Sequence, residues 1–147
     1  MNKKTLIVKR IPLYGILFCL IACTTNSFDE QKLEEKIRLQ EDCWNNHDIE
    51  CFMQTYWKSD SLKFIGKNGL QMGWDRTLNN YKKSYPSKEL MGKLRFDIKI
   101  VEPLSEESAM MIGNWNLFRK SDTLSGYSTI IWKKINDDWV IIADHSS

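Results

Sequence analysis

The chain has 147 residues, with 21 lysine and arginine residues against 19 aspartate and glutamate residues, and a formal net charge of +2. Four of the basic residues precede residue 23, so the rest of the chain holds 17 basic and 19 acidic residues, a net charge of −2. This balance excludes a strongly basic nucleic-acid-binding surface. From residue 23 onward the length fits one domain with a single core.

The first 22 residues have the pattern of a signal peptide. A basic segment precedes an apolar run from Ile11 to Ala22, which is too short to span a bilayer as a helix. The run ends in "LIAC", which resembles the lipobox of bacterial lipoproteins. That resemblance implies that Cys23 is lipidated and becomes the mature N-terminus, with residues 23–27 as a tether. An ordinary signal peptide cleaved near Ala22 is the alternative.

Lipidation at Cys23 would hold the protein on a membrane of the bacterial cell envelope through acyl chains such as palmitate. Thr24 supplies no acidic retention residue after the cysteine, so we expect the outer membrane. The domain itself is predicted to span residues 28–147.

Two helices are predicted first. Ser27 and Glu30 have the spacing of a capping box, and an apolar face follows at Leu33, Ile37 and Trp44. The "NNHD" segment then breaks this helix. Apolar residues recur at i, i+3, i+4 and i+7 in the second helix, which predicts a buried stripe made of Ile49, Phe52, Met53 and Tyr56.

Cys43 and Cys51 lie on either side of this helix junction, so they either pair as a disulfide or remain buried thiols. The only histidines are His47 and His145, and neither has cysteine neighbours at metal-ligand spacing. The sequence therefore predicts no metal site, and no motif indicates a cofactor.

A hairpin is predicted next, from residues 61–65 and 70–73, followed by a third helix that Pro86 ends. Residues 94–100 then alternate between apolar and charged side chains, and three further strands follow through short polar turns. This order predicts an α+β domain in which three helices pack on one face of an antiparallel meander.

The mature chain resembles the nuclear transport factor 2-like, or SnoaL-like, superfamily, and especially its small secreted bacterial domains of unknown function. The resemblance rests on "CWNNHDIECFMQTYW", "SLKFIGKNGLQMGWDRTLNNYKKSYP", "IGNWNLFRK" and "GYSTIIWKKINDDWVIIADHSS". It implies a cone-shaped fold with helices on the concave face of a curved sheet, one pocket, and a homodimer through the outer sheet face. Relatives include isomerases, dehydratases and cyclases as well as non-catalytic modules, so the fold alone assigns no activity.

The last strand, "WVIIADHSS", raises the question of which residue enters the pocket. Successive side chains of a strand point to opposite faces, so Asp144 and His145 cannot both enter it. Regular alternation places His145 with Trp139 on the inner face and turns Asp144 outward. Even-numbered loops would place Trp115 and Trp132 on that inner face. The predicted pocket residues are Tyr56, Trp74, Tyr81, Trp115, Trp132 and His145.

Three functions remain open. The first is a lipid-anchored protein that binds a small apolar or aromatic ligand in the cone pocket. The second is an isomerase, dehydratase or cyclase with His145 as acid/base, the best catalytic candidate, and a tyrosine such as Tyr56 or Tyr81 polarising a carbonyl. The third is a non-catalytic dimeric assembly module. No complete catalytic set is present, which favours a protein that is not an enzyme.

Overall fold

The computed structural model describes residues 28–147. The signal peptide, the lipidation site at Cys23 and the proposed cap at Ser27 lie outside these residues. In chain order the elements are α1 (Glu30–Asn45), α2 (Ile49–Met53), β1 (Lys63–Gly66), β2 (Gly69–Met72), α3 (Trp74–Ser84), α4 (Lys88–Met91), β3 (Lys93–Ser105), β4 (Ser108–Phe118), β5 (Thr123–Ile135) and β6 (Asp138–Ser146).

Asp29 is the N-cap of α1, and its side chain accepts a hydrogen bond from the backbone N–H of Lys32. Asp48 caps α2 in the same way through the N–H of Cys51. The N-cap therefore lies two residues later than the predicted cap at Ser27, and Glu30 is the first residue of the helix and not the acidic member of a capping box.

Cys43 of α1 and Cys51 of α2 form a disulfide, with their Cα atoms 5.5 Å apart. This settles the choice between a disulfide and two thiols that the sequence left open. The bridge fixes the angle between α1 and α2 and so helps to position Phe52 and Tyr56.

The six strands form one sheet in the order β2-β1-β6-β5-β4-β3. The predicted hairpin of β1 and β2 and the antiparallel meander from β3 to β6 are confirmed. One pair departs from the prediction, because β1 lies parallel to β6. The chain leaves the hairpin through α3 and α4, enters the sheet at its far edge, and returns strand by strand until β6 reaches β1.

Both loops contain an even number of residues, which is the condition on which the predicted faces depended. The turn between β5 and β6 contains only Asn136 and Asp137, both with positive φ, as a type I′ hairpin turn requires. The β4–β5 connection is also even, since Phe118 pairs with Thr123. The inner face of these strands therefore carries the buried residues Ala109, Met111, Gly113, Leu117, Ser128, Ile130 and Trp132.

The core lies between this inner face and the helices, and the helix-side core residues include Leu33, Ile37, Trp44, Phe52 and Met53. The α+β class and the curved sheet with helices on its inner side are as predicted. The fourth helix, α4, is an addition of four residues capped by Ser87. None of the described helices is both long and apolar enough to cross a bilayer.

Candidate functional site: an aromatic cavity with a buried carboxyl group

A cavity of about 1090 Å³ lies between the helices and the inner face of the sheet. Eight aromatic side chains contribute to its wall: Trp44, Phe52, Tyr56, Phe64, Tyr81, Tyr85, Phe96 and Trp115. The rim includes the exposed residues Lys67, Lys83 and Thr123, so the cavity is open to solvent. This volume and lining are typical of a small-molecule site.

The aromatic rings on the helix side support one another by edge contacts. The ring centroid of Tyr81 lies 5.3 Å from that of Phe52 and 5.6 Å from that of Phe64. The rings of Trp44 and Tyr85 are 4.8 Å apart. Such T-shaped pairs fix ring orientations, so the wall is preformed.

A β-bulge in β6 decides which side chain of the last strand faces the cavity. Trp132 pairs with Ile141, but the preceding residue of β5, Ile131, pairs with Ala143, so Ile142 is an extra residue. The extra residue reverses the alternation of β6. Trp139 and Ile141 are buried before the bulge, and Asp144 is buried after it.

The bulge lies where the neighbour of β6 changes. The backbone of Ile141 exchanges hydrogen bonds with Thr55 and Trp57, which flank Tyr56, whereas Ala143 and its successors pair with β1. This arrangement brings the hydroxyl group of Tyr56 next to the side chain of Asp144.

Asp144 is only 4% exposed and is held by hydroxyl donors. Tyr56 Oη donates to Asp144 Oδ2 at 2.7 Å, and Ser146 Oγ donates to Asp144 Oδ1 at 2.8 Å. Ser146 Oγ also lies 2.8 Å from Ser128 Oγ on β5. Asp144, Ser146 and Ser128 all line the cavity, so β5 and β6 supply a connected group of polar side chains to its wall.

Burial raises the pKa of the Asp144 carboxyl above its ordinary 3.8, while the hydrogen bonds from Tyr56 and Ser146 act in the opposite direction. Burial, reinforced by the nearby Asp144 charge, also raises the pKa of Tyr56 and that of Tyr81 well above the ordinary value. Both tyrosines therefore stay protonated, and Asp144 is the group in this cluster whose pKa is raised from the acidic range.

Trp115 contributes its ring to the wall, but not its indole donor. The Nε1–H is buried and has no hydrogen-bond acceptor among the described residues. Trp132, which lies in the core outside the cavity, has an unpaired Nε1–H of the same kind, so this feature does not mark a ligand position.

Comparisons with known proteins agree with this architecture. A crystal structure of a nuclear transport factor 2-like protein of unknown function from Shewanella oneidensis is 43% identical, with a TM-score of 0.77 over 80% of this chain and 97% of that chain. The chain belongs to the nuclear transport factor 2-like family. No family model and no curated protein matches it.

More distant members show the fold alone. A domain of unknown function with a cystatin-like fold from Nostoc punctiforme is 17% identical over 81% of this chain and 76% of that one, with a TM-score of 0.69. A putative calcium/calmodulin-dependent protein kinase II association domain from Xanthomonas campestris is 15% identical over 84% and 89%, with a TM-score of 0.64.

Within this nuclear transport factor 2-like cavity, three of the six predicted pocket residues line the wall: Tyr56, Tyr81 and Trp115. Trp74 and Trp132 are buried in the core instead. The Trp74 Nε1–H donates to the backbone carbonyl of Met53, so it helps to hold α2 against α3. Trp132 is fully buried on the inner face and does not reach the cavity.

The predicted faces of Asp144 and His145 are wrong. His145 is exposed and does not line the cavity, and Asp144 takes the inner position. The cause is the bulge at Ile142, which regular alternation does not include. A mechanism with His145 as acid/base in this nuclear transport factor 2-like pocket therefore has no geometric support, and the Tyr56 hydroxyl is engaged by Asp144.

The structure adds Asp144, Ser146 and Ser128 to the site. The spacing of Asp144 and Ser146 in the sequence shows that they share a face, but not which face. Residues 28–147 contain no cluster of three or more histidine, cysteine, aspartate or glutamate side chains arranged to hold a metal ion.

Proposed function

We propose that this domain binds a small organic ligand with an aromatic or apolar body in the cavity. The observation that carries this proposal is the combination of a preformed aromatic wall with a few convergent polar groups on β5 and β6.

A larger side chain inside the cavity should weaken binding. Ser128 is 3% exposed and lines the cavity, so Ser128→Leu would project a larger side chain into it. We expect 2-phenylethanol to bind the wild type one-to-one in calorimetry and to bind this variant about tenfold more weakly. The full chain would be purified in nonionic detergent, with empty micelles as the blank.

Thr129→Leu is the matched control, because Thr129 is the next residue of β5 and its side chain lies on the opposite face. It should bind 2-phenylethanol like the wild type. Equal affinity of all three folded proteins for 2-phenylethanol would contradict the proposal.

A second candidate function is dimeric assembly through the outer face of the sheet. One row of outward side chains crosses all six strands and consists of Ile100, Ile112, Thr129, His145, Ile65 and Leu70, each directly paired with the next. Ile100 is 48% exposed and Leu70 is 60% exposed. Apolar patches of this kind mark interaction surfaces, and the same face of two copies can pair across a two-fold axis. The description of the Xanthomonas campestris relative as an association domain supports the same proposal.

Ile100→Lys should weaken such a dimer, since it places a charge on both copies at the interface. Light scattering with the detergent mass subtracted should show the wild type as a dimer and the variant shifted towards monomer. Leu39→Lys is the control, because Leu39 is 54% exposed on α1, away from the sheet. A wild type that stays monomeric at high concentration would exclude this assembly.

We also propose that the domain works at a bacterial membrane, attached through lipid on Cys23 and most simply at the outer membrane. The order of basic segment, apolar run, small residue and cysteine supports the attachment. The Cys43–Cys51 disulfide supports an oxidising compartment such as the cell envelope.

A further inference from the structure

We infer that the cavity ligand is an organic ammonium ion with an aromatic or apolar body, and that Asp144 receives its positive charge. This inference rests on the proposed ligand-binding function and specifies the chemical class of the ligand. Three observations support it: the buried carboxyl group of Asp144, the lack of a cationic side chain paired with it among residues 28–147, and the aromatic side chains around it.

Asp144 is a buried hydrogen-bond acceptor that has no cationic partner among the described residues. Both carboxyl oxygens receive a hydroxyl hydrogen bond, from Tyr56 and Ser146, and the side chain is almost fully buried. Among residues 28–147, no lysine, arginine or histidine side chain forms a salt bridge with it. Buried carboxylates normally have such a partner, and each oxygen here still has acceptor capacity that a ligand can fill.

The wall around Asp144 suits a cation with an apolar body. Phe64 is the β1 residue paired with Asp144, and Tyr81 packs its ring against Phe64. The faces of aromatic rings attract ammonium groups, and the attraction grows when water is excluded. A neutral alcohol or ketone would gain the apolar contacts but would leave the buried carboxyl group without a counter-charge.

Few ionisable groups lie close enough to Asp144 to serve as its counter-charge. The ionisable groups nearest to Asp144 are Tyr56, which follows α2, and Tyr81 of α3. His145 is its neighbour in β6, but the His145 side chain lies on the opposite face of the strand. Lys67 and Lys83 are exposed at the rim, where salt screens their repulsion of an entering cation. A bound ammonium ion would favour the ionised carboxylate, so binding should release a proton as the pH falls towards the pKa of Asp144.

The test compares 2-phenylethylammonium with 2-phenylethanol, which differ in the charged group and share the phenyl body. Calorimetry of the full chain in nonionic detergent should show the ammonium ion binding about tenfold more tightly, which corresponds to about 1.4 kcal/mol. Asp144→Asn should remove this preference while still binding the alcohol. For the wild type alone, the affinity for the ammonium ion should rise from acidic to neutral pH, and buffers of different ionisation enthalpy should reveal the released proton.

Each outcome decides between the two proposals. Equal or tighter binding of the alcohol by the wild type overturns the ammonium assignment and leaves the binding function intact. An ammonium preference that survives in Asp144→Asn also overturns it. If neither compound binds the wild type, both proposals fail. The comparison within the wild type needs no variant, so it remains decisive even if Asp144→Asn does not fold.

Discussion

Asp144→Asn is expected to make the protein more stable at neutral pH, by about 1 kcal/mol, while it removes the preference for a cationic ligand. The amide keeps the shape of the side chain, and its oxygen can still accept from Tyr56 Oη. Ser146 can accept from the amide nitrogen and donate to Ser128, since either hydroxyl can be the donor in that pair.

The pH dependence of stability should change with the same substitution. The pKa of Asp144 is raised in the folded chain, so between the ordinary value of 3.8 and the raised value the folded state binds more protons than the unfolded chain. This contribution to wild-type stability is fully present below the ordinary value and is lost as the pH rises through the folded pKa. The stability of Asp144→Asn should not fall in this way, because the amide does not titrate.

Chemical unfolding of both proteins across the acidic-to-neutral range measures the effect directly. Asp137→Asn is the matched control, because the Asp137 side chain is 98% exposed and asparagine tolerates its positive φ equally well. An Asp144→Asn variant that is less stable than the wild type at neutral pH, with an unchanged pH slope, would refute a cavity-facing carboxyl group with a raised pKa.

Cys23→Ser is expected to prevent processing and lipidation of the chain. Wild-type protein isolated from bacterial membranes should begin at Cys23 and carry the mass of its acyl chains, each methylene of which contributes about 0.8 kcal/mol to membrane binding. The variant should keep residues 1–22 and gain no acyl mass. Intact-protein mass spectrometry distinguishes these species.

Cys19→Ser provides the control for that experiment. Cys19 has the same side chain four residues earlier, inside the apolar run, and its replacement should leave processing unchanged. If wild type and Cys23→Ser are cleaved at the same place and neither carries lipid, the ordinary signal peptide is the correct alternative and the anchoring proposal fails.

The fold was accessible from the sequence because its elements have strong local patterns. The hairpin before Trp74 and the alternation in Leu94, Phe96 and Ile98 predict their elements directly. The even β5–β6 turn also places Trp132 on the correct face. By contrast, α4 has only four residues, and the parallel pairing of β1 with β6 joins short segments far apart in sequence, where local patterns carry no information.

The site was less accessible because one bulge controls it. Residues Val140 to Ala143 are all apolar, so the sequence there gives no alternation from which the face could be followed. An extra residue inside such a run leaves no trace, yet it reverses every later side chain. The adjacent pair Asp144 and His145 exchanged faces for this reason. Three of the aromatic residues of the wall, Tyr56, Tyr81 and Trp115, lie outside the bulged segment and were among the predicted pocket residues, whereas the predicted Trp74 and Trp132 are in the core.

A crystal structure of the full chain grown with 2-phenylethylammonium tests the central claim most directly. We predict that Asp144 faces the cavity, that the phenyl ring lies against the aromatic wall, and that the ammonium nitrogen is about 2.8 Å from an Asp144 carboxylate oxygen. His145 should remain on the outer face. A structure in which β6 has no bulge at Ile142, with His145 in the cavity and Asp144 outside, would contradict the account.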